Sequence, residues 1–289
     1  AGWRVDPESV PLTLAAGGEA AVEFQLHPPA AASEGFAEAV VEAGGESYAR
    51  GIVTVDHRHI PLQAVLEPAR ARVLRIDLER DGSRVGYVMG AGDEIPGVLR
   101  QLGYEVTLLS DGDLAEGSLD RFDAIVVGVR AYNTRDALRQ AQPRLLDWVR
   151  GGGTLVVQYN VGRDLVVDQL GPYPFKVTRD RVTEEDAVVE LTAPGHPLLS
   201  VPNRIAAADF AGWVQERGLY FPGEWDPVYE TVMAMHDTGE KTLASAVLFA
   251  RHGKGAYVHT SLAFFRQLPA GVPGAIRLFA NLLAAKGAA

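Results

Sequence analysis

AIVVGVRAYNTR, Ala124 to Arg135, decides the fold of this chain. Four apolar residues run into Gly128, and the polar Arg130, Tyr132 and Asn133 follow where a buried strand gives way to a helix. A short, wholly apolar run bounded by turn residues is the mark of a strand covered on both faces, as in a parallel sheet. Its surroundings obey the same grammar. RVGYVMG, from Arg84, reads as a strand, and GDEIPGVLRQLG follows with Ile95, Val98, Leu99 and Leu102 on one helical stripe closed by Gly103. YEVTLLS is the next strand and GGGTLVVQYN, ending at Asn160, the one after AIVVG. Asn133 or Thr134 is placed to cap a helix reaching Trp148 and Val149, with Pro143 expected to restart it. Alternating strands and helices predict a mainly parallel open α/β sheet with right-handed crossovers.

Outside this core the grammar changes. From Val10 to about Glu67 short alternating runs such as AAVEFQL and IPLQAVL are separated by AAGGE, HPPAAASEG and AGGES. Strands without helices between them predict a small all-β sandwich, with a connector from Glu67 to Arg84 holding a strand at Val73 to Leu78. The expected domains are therefore 1–76 and 77–289. Residues 161–229 read as irregular loops, TLASAVLFAR and AYVHTSLAFF as an antiparallel pair, and Val272 to Ala285 as a last helix.

Composition narrows the functions. A net charge of -10 with scattered Lys and Arg argues against a nucleic-acid surface. No apolar run approaches the roughly 20 residues of a membrane span. The chain begins without Met or an export signal, which suggests a mature protein or a piece of a longer one. With no Cys among 289 residues, thiolate zinc sites, disulfides and cysteine nucleophiles are excluded.

Three features resemble sites and read more simply as structure. Gly90 and Gly92 do not complete a phosphate loop, since a third Gly is missing and Asp93 and Glu94 stand where an anion would sit. The HxH at His57 and His59 puts two imidazoles on one face of a strand, without a third ligand, and reads as an exposed strand edge near the domain boundary, while His236 with Asp237 reads as a turn. The strand tips say more. Arg130, Tyr132, Asn133, Gln158, Tyr159 and Asn160 end two neighbouring βα units, and in open sheets that edge is where ligands bind. Guanidinium, amide and phenol groups suit sugar hydroxyls or carboxylates, while the plainer alternative has Asn133 capping a helix and Arg130 packed under a loop. Trp213, Glu216 and Arg217 in the long loop add an aromatic and two charges.

The phrases RVGYVMGAGDEIPGVLRQLGYEVTLLS, RFDAIVVGVRAYNTR, GPYPFKVTRDRVTEEDAVVE, GWVQERGLYFPGEWDP and GKGAYVHTSLAFFRQLPAGVPGAIRLFANLL resemble the C-terminal region of long bacterial PIG-L (LmbE-like) deacetylases. The resemblance runs from about Arg84 to the end, and the segment before it resembles their immunoglobulin-like module. It implies a fold of class I glutamine amidotransferase type, similar also to ThuA-like domains. It further implies an extracytoplasmic setting and an N-terminal deacetylase domain of the same polypeptide. There a His-Pro-Asp-Asp motif and a distant His hold zinc, the only cofactor expected. That motif is absent here, since His196 and Pro197 continue into Leu198 and Leu199, so no catalytic or metal residue carries over. The amidotransferase likeness supplies no nucleophile either, because there is neither a Cys nor a G-x-S-x-G elbow. The expectation is a noncatalytic portion of such a deacetylase, binding carbohydrate or docking its catalytic domain. The rivals are a self-contained hydrolase using Glu216, Asp226 or His236, and a purely structural interaction module.

Overall fold

A computed structural model describes residues 2–288. The chain divides into two compact units, Ala1–Asp77 and Leu78–Ala289.

In the N-terminal unit every described strand pairs with one partner only. Arg4–Asp6 pairs with Gln25–His27, Ser33–Glu38 with Arg70–Arg75, Val41–Ala43 with Glu46–Tyr48, and Arg50–His57 with Ile60–Pro68, all antiparallel. Val10 to Leu14, expected in a strand, lies outside these pairs, and the strand expected at Val73 to Leu78 ends at Arg75. Among the described residues the four ladders are separate two-stranded sheets, and none of residues 2–77 is buried. Ser33–Glu38 alternates half-buried and exposed residues, so one of its faces is partly covered, and the buried core of a two-layer sandwich is not seen among the described residues.

The C-terminal unit is a mixed α/β structure around one seven-stranded sheet. Its strands are β1 (Arg84–Val88), β2 (Glu105–Leu108), β3 (Ala124–Val127), β4 (Thr154–Gln158), β5 (Glu230–Thr231), β6 (Val247–His252) and β7 (Gly255–Thr260). The spatial order is β2-β1-β3-β4-β7-β6-β5. From β2 to β7 all neighbours run parallel, and β6 and β5 add antiparallel strands at one edge. The sheet is thus mainly parallel, as the apolar runs predict. Helix α1 (Ile95–Gln101) joins β1 to β2, and α2 (Asp111–Ala115) lies between β2 and β3. Next come α3 (Ala131–Thr134) and α4 (Leu138–Gly151), between β3 and β4. Leu138, Ala141, Leu145 and Val149 of α4 share one core with Ile125, Val127, Leu155 and Val157 of the sheet. Alternate residues Val126, Val156 and Val258 are fully buried too, so the sheet is covered on both faces. After α5 (Phe264–Gln267), α6 (Pro273–Leu283) is buried almost all round rather than on one stripe. No helix among the described residues is long and apolar enough to cross a membrane.

Two local expectations change. Pro143 does not restart a helix but sits inside α4, and a short α3 precedes it. The missing amide leaves over one carbonyl, that of Arg139, whose residue is exposed and can be hydrated. The segment expected as loops is stitched by three small antiparallel pairs. They are Phe175–Val177 with Pro222–Trp225, Arg181–Val182 with Gly218–Leu219, and Val189–Leu191 with Met233–Met235.

Candidate functional site

The chain runs from β1 outward to β2 and then returns to the other side of β1 for β3. That reversal puts the expected ligand crevice between the carboxyl ends of β1 and β3. Here the protein fills it with its own atoms. A side chain on Gly90 would lie 2.2 Å from the Val129 carbonyl oxygen, so only glycine permits the two tips to meet. The Ala91 amide donates to that same oxygen at 2.9 Å. Beneath it the Gln158 amide donates to the Tyr87 hydroxyl at 2.8 Å, and Tyr87 donates to the Asp93 carboxylate, also at 2.8 Å. Asp93 further accepts the Ile95 amide at 3.1 Å. Burial raises the carboxyl of Asp93 above its ordinary pKa, against the pull of these donors. Burial, reinforced by the Asp93 charge, pushes the Tyr87 phenol well up. The acidic turn therefore belongs to a buried hydrogen-bonded chain.

β3 ends in a bend that keeps the shape of a nucleophile elbow. Gly128 packs so tightly that a Cβ would come within 2.9 Å of the Val88 carbonyl oxygen, and Arg130 adopts φ 56 and ψ 23 immediately before α3. A left-handed non-glycine residue between strand and helix is where such elbows display their reactive group. The position holds an exposed Arg, and its backbone amide is tied to the Tyr159 carbonyl at 2.9 Å.

The other residues singled out from the sequence divide into two sets. Tyr132 is fully buried in the core beneath α4. Asn133 does not cap a helix. Its side-chain amide donates to the Val161 and Arg163 carbonyls, both at 2.9 Å, while its oxygen accepts the Val161 amide. Asn160, fully buried, accepts the Tyr132 amide at 3.0 Å and donates to the Gln158 carbonyl at 2.9 Å. Gln158 is itself fully buried beneath the tips. Trp213 donates its indole to the Asp209 carbonyl at 3.0 Å and stacks on Phe210. Arg217 spends its guanidinium on the Ala187 and Phe210 carbonyls, and burial lowers its pKa. Tyr132, Gln158, Asn160, Trp213 and Arg217 thus hold the tips and loops in place from inside. Their residue types fit ligand binding; their burial removes them from reach of a ligand.

Arg130 is exposed, whereas Tyr159 and Glu216 beside it are buried under their neighbours. The Tyr159 ring stacks on Tyr220 at 5.7 Å between centroids and tilts against Phe265 at 5.6 Å. Glu216 accepts from Arg266 at 2.6 Å, and Arg266 lies over the Phe265 ring. Burial pushes the Tyr159 phenol up to about 12, with Arg130, Glu216 and Arg266 as its charged neighbours. Beside this platform opens a cleft of about 230 Å³ lined by Val161, Gly162, Arg163, Val177, Thr178, Arg179 and Tyr220. Arg163 and Arg179 did not stand out in the sequence, whereas Tyr220 belongs to the aromatic-rich loop that reads as suited to carbohydrate stacking. Both arginines sit in Arg-Asp pairs, Arg163-Asp164 and Arg179-Asp180, but the pair recurs at Arg80-Asp81 and Arg135-Asp136 and so marks neither.

The residues of the rival hydrolase are not assembled. Glu216 is committed to Arg266, Asp226 accepts the Val228 amide in a turn, and His236 is exposed with its Nδ1 near the Asp237 carbonyl. Asp237 does not orient His236, because its carboxylate accepts from Thr183 and Glu184. His57 closes a strand while His59 lies in the following hairpin turn, so the two do not share a strand face. No group of three or more His, Asp or Glu among the described residues is placed to hold a metal ion.

No family model matches the chain, and no curated protein matches it. Solved structures that resemble it include a GMP synthase component from Thermoplasma acidophilum. That match has 11% identity over 72% of this chain and 96% of the other, with a TM-score of 0.42. PurLQS from Thermotoga maritima matches at 13% identity over 71% and 99%, with a TM-score of 0.43. A β-galactosidase from Rahnella sp. R3 matches at 15% identity over 73% of this chain but 32% of its own, also at 0.43. The architecture given above stands on the strand order of this chain itself.

Proposed function

We propose that this chain is the noncatalytic part of a zinc-dependent, PIG-L-type N-acetyl-sugar deacetylase, and that it binds saccharide at the tips of β3 and β4. The observation that carries the reading is Arg130, a left-handed residue at the elbow where acyl-transfer chemistry on this kind of sheet would need a thiolate or hydroxyl. The finer fold assignment, a class I glutamine amidotransferase-like scaffold without its nucleophile, belongs to the same proposal. Support for saccharide comes from the partly exposed Tyr220 ring, backed by buried Tyr159 and flanked by guanidinium groups, since aromatic faces pack on sugar rings while charged donors take the hydroxyls. In this reading residues 1–76 act as an immunoglobulin-like spacer. The partner is the deacetylase domain of the same polypeptide, zinc resides there, and the setting is extracytoplasmic.

The test is calorimetric titration of the chain with N-acetylglucosamine disaccharide, together with a zinc-supplemented assay for acetate release. Binding without turnover is expected, weakened at least tenfold by Arg130→Ala and by Tyr159→Ala. Turnover of the sugar by this chain alone, or binding indifferent to both substitutions, overturns the reading.

A further inference from the structure

The cleft beside Tyr220 has a chemistry of its own. It is walled by two segments that meet closely, since a side chain on Gly162 would lie 2.7 Å from the Val177 carbonyl oxygen. Each segment brings one arginine to the opening, Arg163 from the first and Arg179 from the second, and both side chains are exposed. Neither guanidinium has a carboxylate partner among the described residues. Of the nearby carboxylates, Asp180 pairs with Lys241 at 2.7 Å and Glu216 with Arg266, while Asp164 next to Arg163 is exposed. Two uncommitted arginines facing one cleft in a chain of net charge -10 make a local positive site in a negative field.

The walls are fixed before any ligand arrives. Asn133 holds the backbone of Val161 and Arg163 with three hydrogen bonds. Thr178 donates its amide and its hydroxyl to the Phe221 carbonyl, at 3.0 and 2.7 Å, and accepts the Asp180 amide. Asp164 and Tyr220 both stand at positive φ, 55 and 56, a backbone region that strains a non-glycine residue. Backbone strain held in place on both sides of a cleft is a pattern of preorganised binding sites. The volume, about 230 Å³, is below the roughly 300–1,000 Å³ that encloses drug-sized ligands, and suits one ring with one charged group.

We propose that the Arg163–Arg179 cleft binds the carboxylate of an acidic monosaccharide unit, with the Tyr220 ring against the sugar. The guanidinium fork matches a planar carboxylate with two parallel hydrogen bonds, and an aromatic wall has no use for a bare inorganic ion. This rests on the reading that the β3 and β4 tips bind saccharide and adds the class of sugar.

The experiment titrates the 289-residue chain with glucuronic acid, with glucose and with inorganic sulfate at low ionic strength. Glucuronic acid is expected to bind at least tenfold more tightly than either other probe. Arg163→Ala and Arg179→Ala should each weaken it about tenfold, with unchanged thermal unfolding because both side chains are exposed. Tyr220→Leu should weaken glucuronic acid but not sulfate. Glucose binding as tightly as glucuronic acid, with no loss in the arginine variants, overturns the acidic-sugar assignment and leaves the saccharide reading standing. Sulfate binding as tightly as glucuronic acid reduces the cleft to a plain anion site and also overturns the assignment. If neither these sugars nor the N-acetylglucosamine disaccharide binds, both readings fall together.

Discussion

The two units of this chain are written in similar letters and treat them in opposite ways. Ile52 and Leu62 of the N-terminal hairpin are 68% and 67% exposed, while Leu155 of β4 is fully buried. All three lie in strands rich in branched apolar residues. The difference lies in the partner: a strand of the hairpin has one neighbour and two open faces, whereas β4 has neighbours on both edges and helices or further strands over both faces. An apolar strand pattern therefore specifies a surface that could be buried, and the rest of the chain decides whether it is.

Truncation in each region breaks this comparison most directly. Leu155→Ala is expected to cost about 3–5 kcal/mol by removing buried methyl groups from a packed core, and Ile52→Ala less than about 0.5 kcal/mol. Denaturant unfolding of both variants checks it; equal losses would mean that the hairpin face is covered in solution.

A buried titrating group sharpens the comparison next. His259 in β7 is fully buried against Phe175, and neither ring nitrogen has a hydrogen-bond partner among the described residues. Burial lowers its pKa to about 3 from 6.5, so the folded state holds the neutral ring while the unfolded chain takes up a proton. Its depressed pKa makes stability fall as pH drops from about 6.5 toward 3, by about 3 kcal/mol at pH 4. His259→Leu should flatten that limb in pH-dependent melts.

Smaller effects attach to carboxylates. Burial works against the Asp123 charge, yet the Arg84 and Ser83 amides and the Arg84 guanidinium bring its pKa down to about 2. The carboxylate thus stabilises the fold above its ordinary pKa of 3.8, and this contribution fades as pH falls toward 2. Asp123→Asn should cost about 2 kcal/mol at pH 7. The corresponding change in the N-terminal unit, Glu34→Gln against Arg72 on an exposed ladder, should lower Tm by less. Asp93 has the opposite sign. Its folded pKa is raised, so it favours the fold at low pH and that contribution is lost as pH rises through the raised value. Asp93→Asn keeps an acceptor for Tyr87 and Ile95, and should raise Tm slightly at pH 7 and not at pH 3.

The sheet was legible because β1, β3 and β4 are short apolar runs between turn residues, and α1 shows a clear 3.6-residue stripe. The pairs around 175–235 were not, because strands of two to four residues carry too little periodicity. The site was legible as a place and less so as a list. Arg130 reaches the surface as its position at a strand tip predicts, whereas Tyr159, Trp213 and Arg217 are buried among the segments around them. A sequence names the side chain and not the direction in which a loop folds it. Asn133 is the instructive case: an apparent cap is a staple whose partners lie 28 and 30 residues away.

The sheet of the C-terminal unit ends at β2, four residues long, and at β5, two residues long. Edges this short offer little backbone for another molecule to template upon, so this unit is guarded against polymerising strand by strand. The N-terminal hairpin carries the opposite risk, with nine exposed residues from Ile60 to Pro68. Pro61 and Pro68, which cannot donate to a neighbouring strand, are its gatekeepers against fibre growth, and replacing them would turn the hairpin into a seed.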